Sequence, residues 1–316
     1  MDCILFRLAI GRYGILVKVI TKIFFALSVL PAMFALLFIG QDVAAHAYNP
    51  RVDIATWVVE PSRLECRLWQ GIPSYGRAVF ANRAGDRQRF FLSSRRKVVT
   101  KGKVVLESQP PNWMHNVPME KIAVVDGALG AVPLLVQHDL SSRLLDELEE
   151  GMSARFTHPG WRTNHKVRVE MTSVNFTEAY QAYLDCTHAL LPHNFDQLER
   201  SSIHFDTGKT FIRKKFKKRM KELGNYILYD PDVESFVIDG HTDDVGRNGP
   251  NWELSQMRAE RVKAYLQSIG IDESMLVIRY HGETRPKVKN NNKVNRRINR
   301  RVTIRLDRGI PTPGLM

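Results

Sequence analysis

Cysteine is scarce, with three in 316 residues, and Cys3 lies ahead of the only long apolar run. That run, Ile23 to Gly40, contains no Asp or Glu. Even as a membrane anchor it could not supply the carboxylate that an ion or proton pathway needs. No cysteine follows it closely, so lipoprotein attachment is not indicated. A long series of alternating strand segments is also missing, which excludes an outer-membrane barrel. The histidines of the first half, His115, His138, His158 and His165, are scattered without metal-ligand spacing. No Ser/His/Asp or Cys/His set has recognisable spacing, so an enzyme is not expected, nor a metal or other cofactor.

What is present begins with a leader. Arg7, Arg12, Lys18 and Lys22 precede the apolar run, and Ala45-His-Ala follows it. Small residues at Ala45 and Ala47 fit signal-peptidase cleavage before Tyr48. The run is long and interrupted by Pro31, and an uncleaved N-terminal anchor is the alternative. The true start could also lie near Val17 or Val19. In every case the remainder is exported, with the positive residues left behind. Loss of Cys3 with the leader leaves Cys66 and Cys186 as an even pair. In an oxidising compartment a Cys66–Cys186 disulfide is expected, against the alternative of two buried thiols.

The basic excess is uneven: residues 1–47 carry +2, 48–190 carry +3 and 191–316 carry +8. A polyanionic surface is therefore expected to attract the C-terminal part, whether acidic lipid or cell-wall polymer. Export argues against nucleic acid.

The length suggests two domains. Residues 48–193 read as a β-rich unit with peripheral helices. Short strands are expected at Trp57-Val-Val, Leu64-Glu-Cys-Arg-Leu, Ala78-Val-Phe, Arg89-Phe-Phe-Leu, Lys97-Val-Val, Lys103-Val-Val-Leu and Val167-Arg-Val-Glu-Met. Helices are expected over 141–150 and 177–191. Trp69, Trp113 and Trp161 fit either a core or a partner-facing surface.

Residues 194–308 read as an α/β sandwich with a mixed sheet, and 309–316 as a loose tail. Strands are expected at Ile203-His-Phe-Asp, 233–238, Leu276-Val-Ile-Arg-Tyr and Arg301-Val-Thr-Ile-Arg-Leu. A helix over 209–228 buries Ile212, Phe216, Met220, Leu223 and Ile227 on one stripe. Its other face carries Lys214, Lys215, Lys217, Lys218, Arg219 and Lys221, either solvated or attracted to an acidic surface. A second helix is expected from Trp252 to Ser268, with Asn251 as its cap. Between strand and helix lies a polar turn with Asp243 and Asp244, and the helix carries Arg258. An acidic turn followed by an inward Arg can build a pocket for a zwitterion. The competing accounts are turn capping by the aspartates, pairing of Arg258 with Glu253 or Glu260, and a metal site from His241, Asp243 and Asp244, which no second carboxylate-and-histidine set at useful spacing supports.

Gly240-His-Thr-Asp-Asp-Val-Gly, Asn251, Leu254-Ser255, Arg258-Ala259, Arg296 and Asn299-Arg-Arg-Val, in this order and spacing, resemble the OmpA-like peptidoglycan-binding family. Tyr280-His-Gly-Glu and Arg285-Pro286 fit the segment between. One departure is Asn295, where the family often has Gly. The resemblance implies that Asp243 accepts the ammonium of a stem-peptide diaminopimelate and Arg258 grips its carboxylate. Thr242, Asn251, Leu254 and Arg296 would shape or line the site. Earlier in the chain, Leu64-Glu-Cys-Arg-Leu, Ile72-Pro-Ser-Tyr-Gly-Arg-Ala-Val-Phe, Arg83-Ala-Gly, Pro110-Pro-Asn-Trp and Leu148-Glu-Glu-Gly resemble the N-terminal domain of the MotY family. Those proteins form a periplasmic ring of the flagellar motor. That resemblance implies attachment to basal-body ring and stator proteins, peptidoglycan as the ligand and a sodium-driven motor. A general envelope tether unrelated to motility is the alternative.

Overall fold

The computed structural model describes residues 46–98, 101–160 and 165–309. The leader up to Val43-Ala-Ala45, Trp161 and the tail beyond Gly309 lie outside the described residues. None of the described helices is long and apolar enough to cross a membrane.

The first unit runs β1 (His46–Tyr48), β2 (Trp57–Glu60), β3 (Glu65–Ile72), β4 (Gly76–Arg83), β5 (Arg89–Ser94), β6 (Lys103–Gln109), β7 (Glu120–Asp126) and β8 (Leu134–Val136). Helix α1 (His138–Glu149), β9 (Ser153–Pro159), β10 (Lys166–Met171) and helix α2 (Phe176–His188) complete it. Two five-stranded sheets form, ordered β1-β10-β9-β6-β7 and β2-β3-β4-β5-β8. Inward and outward residues alternate along β3, β6, β9 and β10, as in strands with one buried face. The inward set meets in one core, where Phe90 lies 4.8 Å from Phe80 on its own sheet and 5.2 Å from Phe156 on the other. A disulfide joins Cys66 on β3 to Cys186 on α2, with the Cα atoms 6.0 Å apart. It closes the unit almost from end to end. The expected cleavage point falls inside β1, whose His46 and Ala47 pair with Val167 and Arg168.

Some strands went unseen in the sequence. β7 is only half-buried on either face and β8 has three residues, so neither shows a period of two. Lys97-Val-Val was expected to be a strand; among its described residues only Val98 pairs, in an isolated bridge to Gly130.

The second unit runs α3 (Phe195–Leu198), β11 (Arg200–His204), α4 (Lys214–Ile227), β12 (Val233–Gly240), α5 (Asn248–Ser268), a short 3-10 turn, β13 (Leu276–Tyr280), α6 (Lys293–Asn299) and β14 (Arg301–Arg308). Its sheet, ordered β11-β14-β12-β13, is mixed: β12 and β13 are parallel, and the other pairs antiparallel. A second core gathers Met220, Leu223, Phe236, Ile238, Val262 and Leu266 between the sheet and α4 and α5. The turn between β4 and β5 reaches this unit. Ala84 joins the second core, Gln197 donates to the carbonyl of Gly85 at 2.9 Å, and Arg83 pairs with Asp196 at 2.9 Å.

Two helix starts differ from expectation. α4 begins at Lys214, five residues later, because the 205–213 segment is a loop whose carbonyls are drawn to another part of the chain. α5 begins at Asn248, so Asn251 lies inside the helix rather than capping it. Pro250 is tolerated there because the first turn has no intrahelical use for its missing N–H.

Candidate functional site

The site is set by how closely β12 approaches α5. A Cβ on Gly240 would stand 2.1 Å from the carbonyl oxygen of Ser255, so only glycine fits. The three residues that follow, His241, Thr242 and Asp243, are all buried. Backbone bonds hold them: His241 N–H donates to the carbonyl of Arg301 (2.9 Å) and Thr242 N–H to that of Gly282 (2.8 Å). From within α5, Asn251 donates through Nδ2 to the Asp243 carbonyl (3.4 Å) and to Glu283 Oε2 (2.5 Å). Asp244 points out of this cluster and pairs with Arg296 at 3.0 Å. Leu254 is half-buried on the same helix.

Arg258 has no exposed surface. Its guanidinium donates to three backbone carbonyls, through Nε to Lys209 (3.0 Å), Nη1 to His241 (3.1 Å) and Nη2 to Asp206 (3.1 Å). Its carbon lies 5.2 Å from the Phe205 ring centroid, a cation–π contact. Burial pushes its pKa down to about 10, opposed by the Asp243 carboxylate and reinforced by Arg300. It therefore stays charged near neutral pH. A planar fork with fixed donors suits this task; a lysine, with its three donors on one nitrogen, would not span carbonyls met here by three separate nitrogens. The result is a clamp tying the 205–213 loop, the acidic turn and α5 together.

The carboxylate of Asp243 is met by a different residue. Arg300 donates through Nη1 to its Oδ2 (2.7 Å) and through Nε to the Phe205 carbonyl (3.2 Å). No bond among the described residues takes Asp243 Oδ1. Arg300 appears in sequence only as the first arginine of Asn299-Arg-Arg-Val, with no sign of its partner. Asn299, also fully buried, accepts from the N–H groups of Lys287 (2.8 Å) and Val288 (3.2 Å) and so fixes the loop before α6. Two buried polar atoms of the turn, Thr242 Oγ1 and His241 Nδ1, have no partner among the described residues. Burial first, then the Arg301 and His281 charges, push the His241 pKa down to about 3, so its ring is neutral.

Structure thus brings Thr242, Asp243, Asn251 and Arg258 to one place, with Arg300 added and Arg296 one shell outward on Asp244. The Asp243 carboxylate is paired with the Arg300 guanidinium and is near enough to Arg258 to favour its charged form. Such an arrangement can take an ammonium and a carboxylate carried on the same carbon. No group of three or more metal-ligating side chains occurs among the described residues.

Residues 204–300, which hold this turn and its arginines, match the OmpA family. Residues 48–192 match the MotY N-terminal domain. The chain joins a MotY N-terminal domain to an OmpA-family domain. Both halves are covered by one relative, a sodium-type flagellar protein MotY of Vibrio parahaemolyticus. The two are 29% identical over 254 residues, spanning 78% of this chain and 84% of the relative. The OmpA-family half alone is similar to a peptidoglycan-associated lipoprotein of Buchnera aphidicola, 32% identical over 107 residues, 32% of this chain and 61% of that protein. Among solved structures, the C-terminal domain of Helicobacter pylori MotB aligns with a TM-score of 0.33 and 24% identity, over 34% of this chain and 85% of its own.

Proposed function

We propose that this MotY-type chain is a periplasmic, non-enzymatic component of the flagellar basal body, in its T ring, that grips peptidoglycan. In this reading residues 1–47 are a leader removed after Ala47, 48–193 attach to basal-body ring and stator proteins, and 194–308 hold the wall. By that grip the chain helps recruit or brace stator units, of a sodium-driven motor. The relatives' names support the motor and wall assignments.

One observation carries the wall site: among the described residues Asp243 keeps Oδ1 unbonded while the nearby, fully buried Arg258 uses three of its five donors on backbone. The ammonium of a stem-peptide diaminopimelate would sit on Asp243, and its carboxylate would take the remaining Arg258 donors once the groups covering that buried guanidinium move aside. Thr242 Oγ1, which lacks a partner among the described residues, gains one in the ligand. Asn251 and Leu254 shape the floor, and Arg296 steadies the rim through Asp244.

The test is co-sedimentation with isolated cell-wall sacculi. Asp243→Asn keeps the side chain's shape but removes its charge, and is expected to weaken binding by about 2–5 kcal/mol. Unchanged binding by this variant would overturn the site. Gene deletion tests the motor assignment: loss of swimming with normal cell shape supports it, whereas normal swimming with a leaky envelope favours a general tether.

A further inference from the structure

Helix α4 turns one face inward, where Met220, Leu223, Gly224 and Tyr226 are buried. Its outward face carries Lys214, Lys218 and Lys221, spaced four and three residues apart and so aligned along the helix. All three are exposed, and none makes an ion pair among the described residues. The first acidic residue on the helix, Glu222, is turned to Arg219 at 3.4 Å. Large apolar side chains stand in water at both ends of this stripe. Phe211, three residues before Lys214, is 70% exposed, and Leu228, at the C-cap, is 76% exposed. To one side lies a cleft between Lys215 and Arg297, beside which Val294 is 69% exposed.

A solvated helix face explains the lysines, because exposed charge needs no partner. It does not explain why Phe211 and Leu228, at the two ends of the stripe, stand exposed as well. A cell-wall polymer would answer the charge but offers no hydrocarbon to Phe211, Leu228 or Val294. A lipid surface answers both, with phosphates at the level of the ammonium groups and acyl chains just beneath for the apolar tips. A helix of 14 residues lying flat presents this stripe over roughly 21 Å. We propose that the outward face of α4 docks on an anionic phospholipid surface. Among the described residues none of the three lysines bonds to the turn at Asp243, although Phe211 belongs to the loop that Arg258 clamps; the proposal does not rest on the wall-binding reading.

The exported form beginning at Tyr48 retains nearly all of both cores and lacks the apolar leader. It is to be sedimented with phosphatidylcholine vesicles containing about one-third phosphatidylglycerol, and with phosphatidylcholine alone. Binding is expected to the anionic vesicles only and to weaken as salt rises. Each lysine near such a surface is worth roughly a fivefold change, so the triple variant Lys214→Gln, Lys218→Gln, Lys221→Gln should bind roughly a hundredfold more weakly. Phe211→Ser with Leu228→Ser should remove the binding that persists in salt. All five positions are exposed, and circular dichroism confirms that the variants fold. Three results would overturn the proposal: no vesicle binding, equal binding to both vesicle types, or a triple variant that binds like the parent. So would loss of sacculus binding by the triple variant with vesicle binding intact, which would give the face to wall polymer.

Discussion

Arg300 and Asp243, 57 residues apart in sequence, are joined by an ion pair of 2.7 Å whose side chains keep only 12% and 6% of their surface. Arg300 also holds the carbonyl of Phe205, so one side chain links the start of β14, the end of β11 and the acidic turn. Taking both charges out of water is costly, and the pair offsets that cost only while it is complete.

Removing one partner should therefore hurt more than removing both. Arg300→Met is expected to destabilise the protein by about 3–5 kcal/mol, because Asp243 is left buried beside a clamp that cannot serve its Oδ2. Adding Asp243→Asn should recover part of that loss. A double-mutant cycle by urea denaturation measures the coupling, and strictly additive losses would show that the pair does not stabilise the turn.

Gly240 tests the strand–helix approach that places the site. Gly240→Ala puts a methyl 2.1 Å from the Ser255 carbonyl, so β12 and α5 must separate. A loss of about 1–3 kcal/mol is expected from such overpacking. Weaker sacculus binding should accompany it, because Asp243 rides on the strand and Arg258 on the helix. A variant as stable as the parent would mean that the two elements shift without cost.

His241 gives the protein an acid-side weakness. Its folded pKa, about 3, lies below the ordinary histidine value, so the unfolded chain binds the proton more readily. Stability is therefore full above about pH 6.5 and falls as pH drops toward the folded value, by on the order of 2 kcal/mol at pH 5. His241→Asn should lose that slope while keeping a neutral polar side chain. The comparison is unfolding free energy at pH 5 and pH 8 for both proteins, and identical slopes would remove His241 as the cause.

The disulfide spans 120 residues, and its loss frees a long loop in the unfolded chain. Cys66→Ala with Cys186→Ala is expected to cost about 2–5 kcal/mol. Because both cysteines belong to the first core, the loss should appear in near-ultraviolet signals of that unit, such as buried Trp57. A melting curve unchanged by reduction would show that packing alone holds α2 to β3.

Much of this was legible in one dimension. The alternation in β3, β6 and β14 reports strands with one buried face, and the stripe Met220, Leu223 reports which side of α4 faces the sheet. The pattern failed where burial is partial or mixed with polar side chains. β9 alternates Ala154, Phe156 and His158 inward, and the buried histidine breaks the apolar period. His158 is satisfied there by Tyr75, at 2.9 Å, which no local window reveals.

Pattern along the chain is enough to imply two units, a second unit that is a mixed α/β sandwich, and the placement of Asp243, Arg258 and Arg300 within it. Local periodicity and motif spacing suffice for that, because strand and helix faces depend on near neighbours. The partners emerge from the folded chain: Arg258 on three backbone carbonyls, Arg300 on Asp243, and Asn251 inside its helix and not at its cap. Hydrogen bonds and buried ion pairs depend on separations of a few tenths of an ångström between residues that are distant in the chain. Spacing along a sequence does not carry that information.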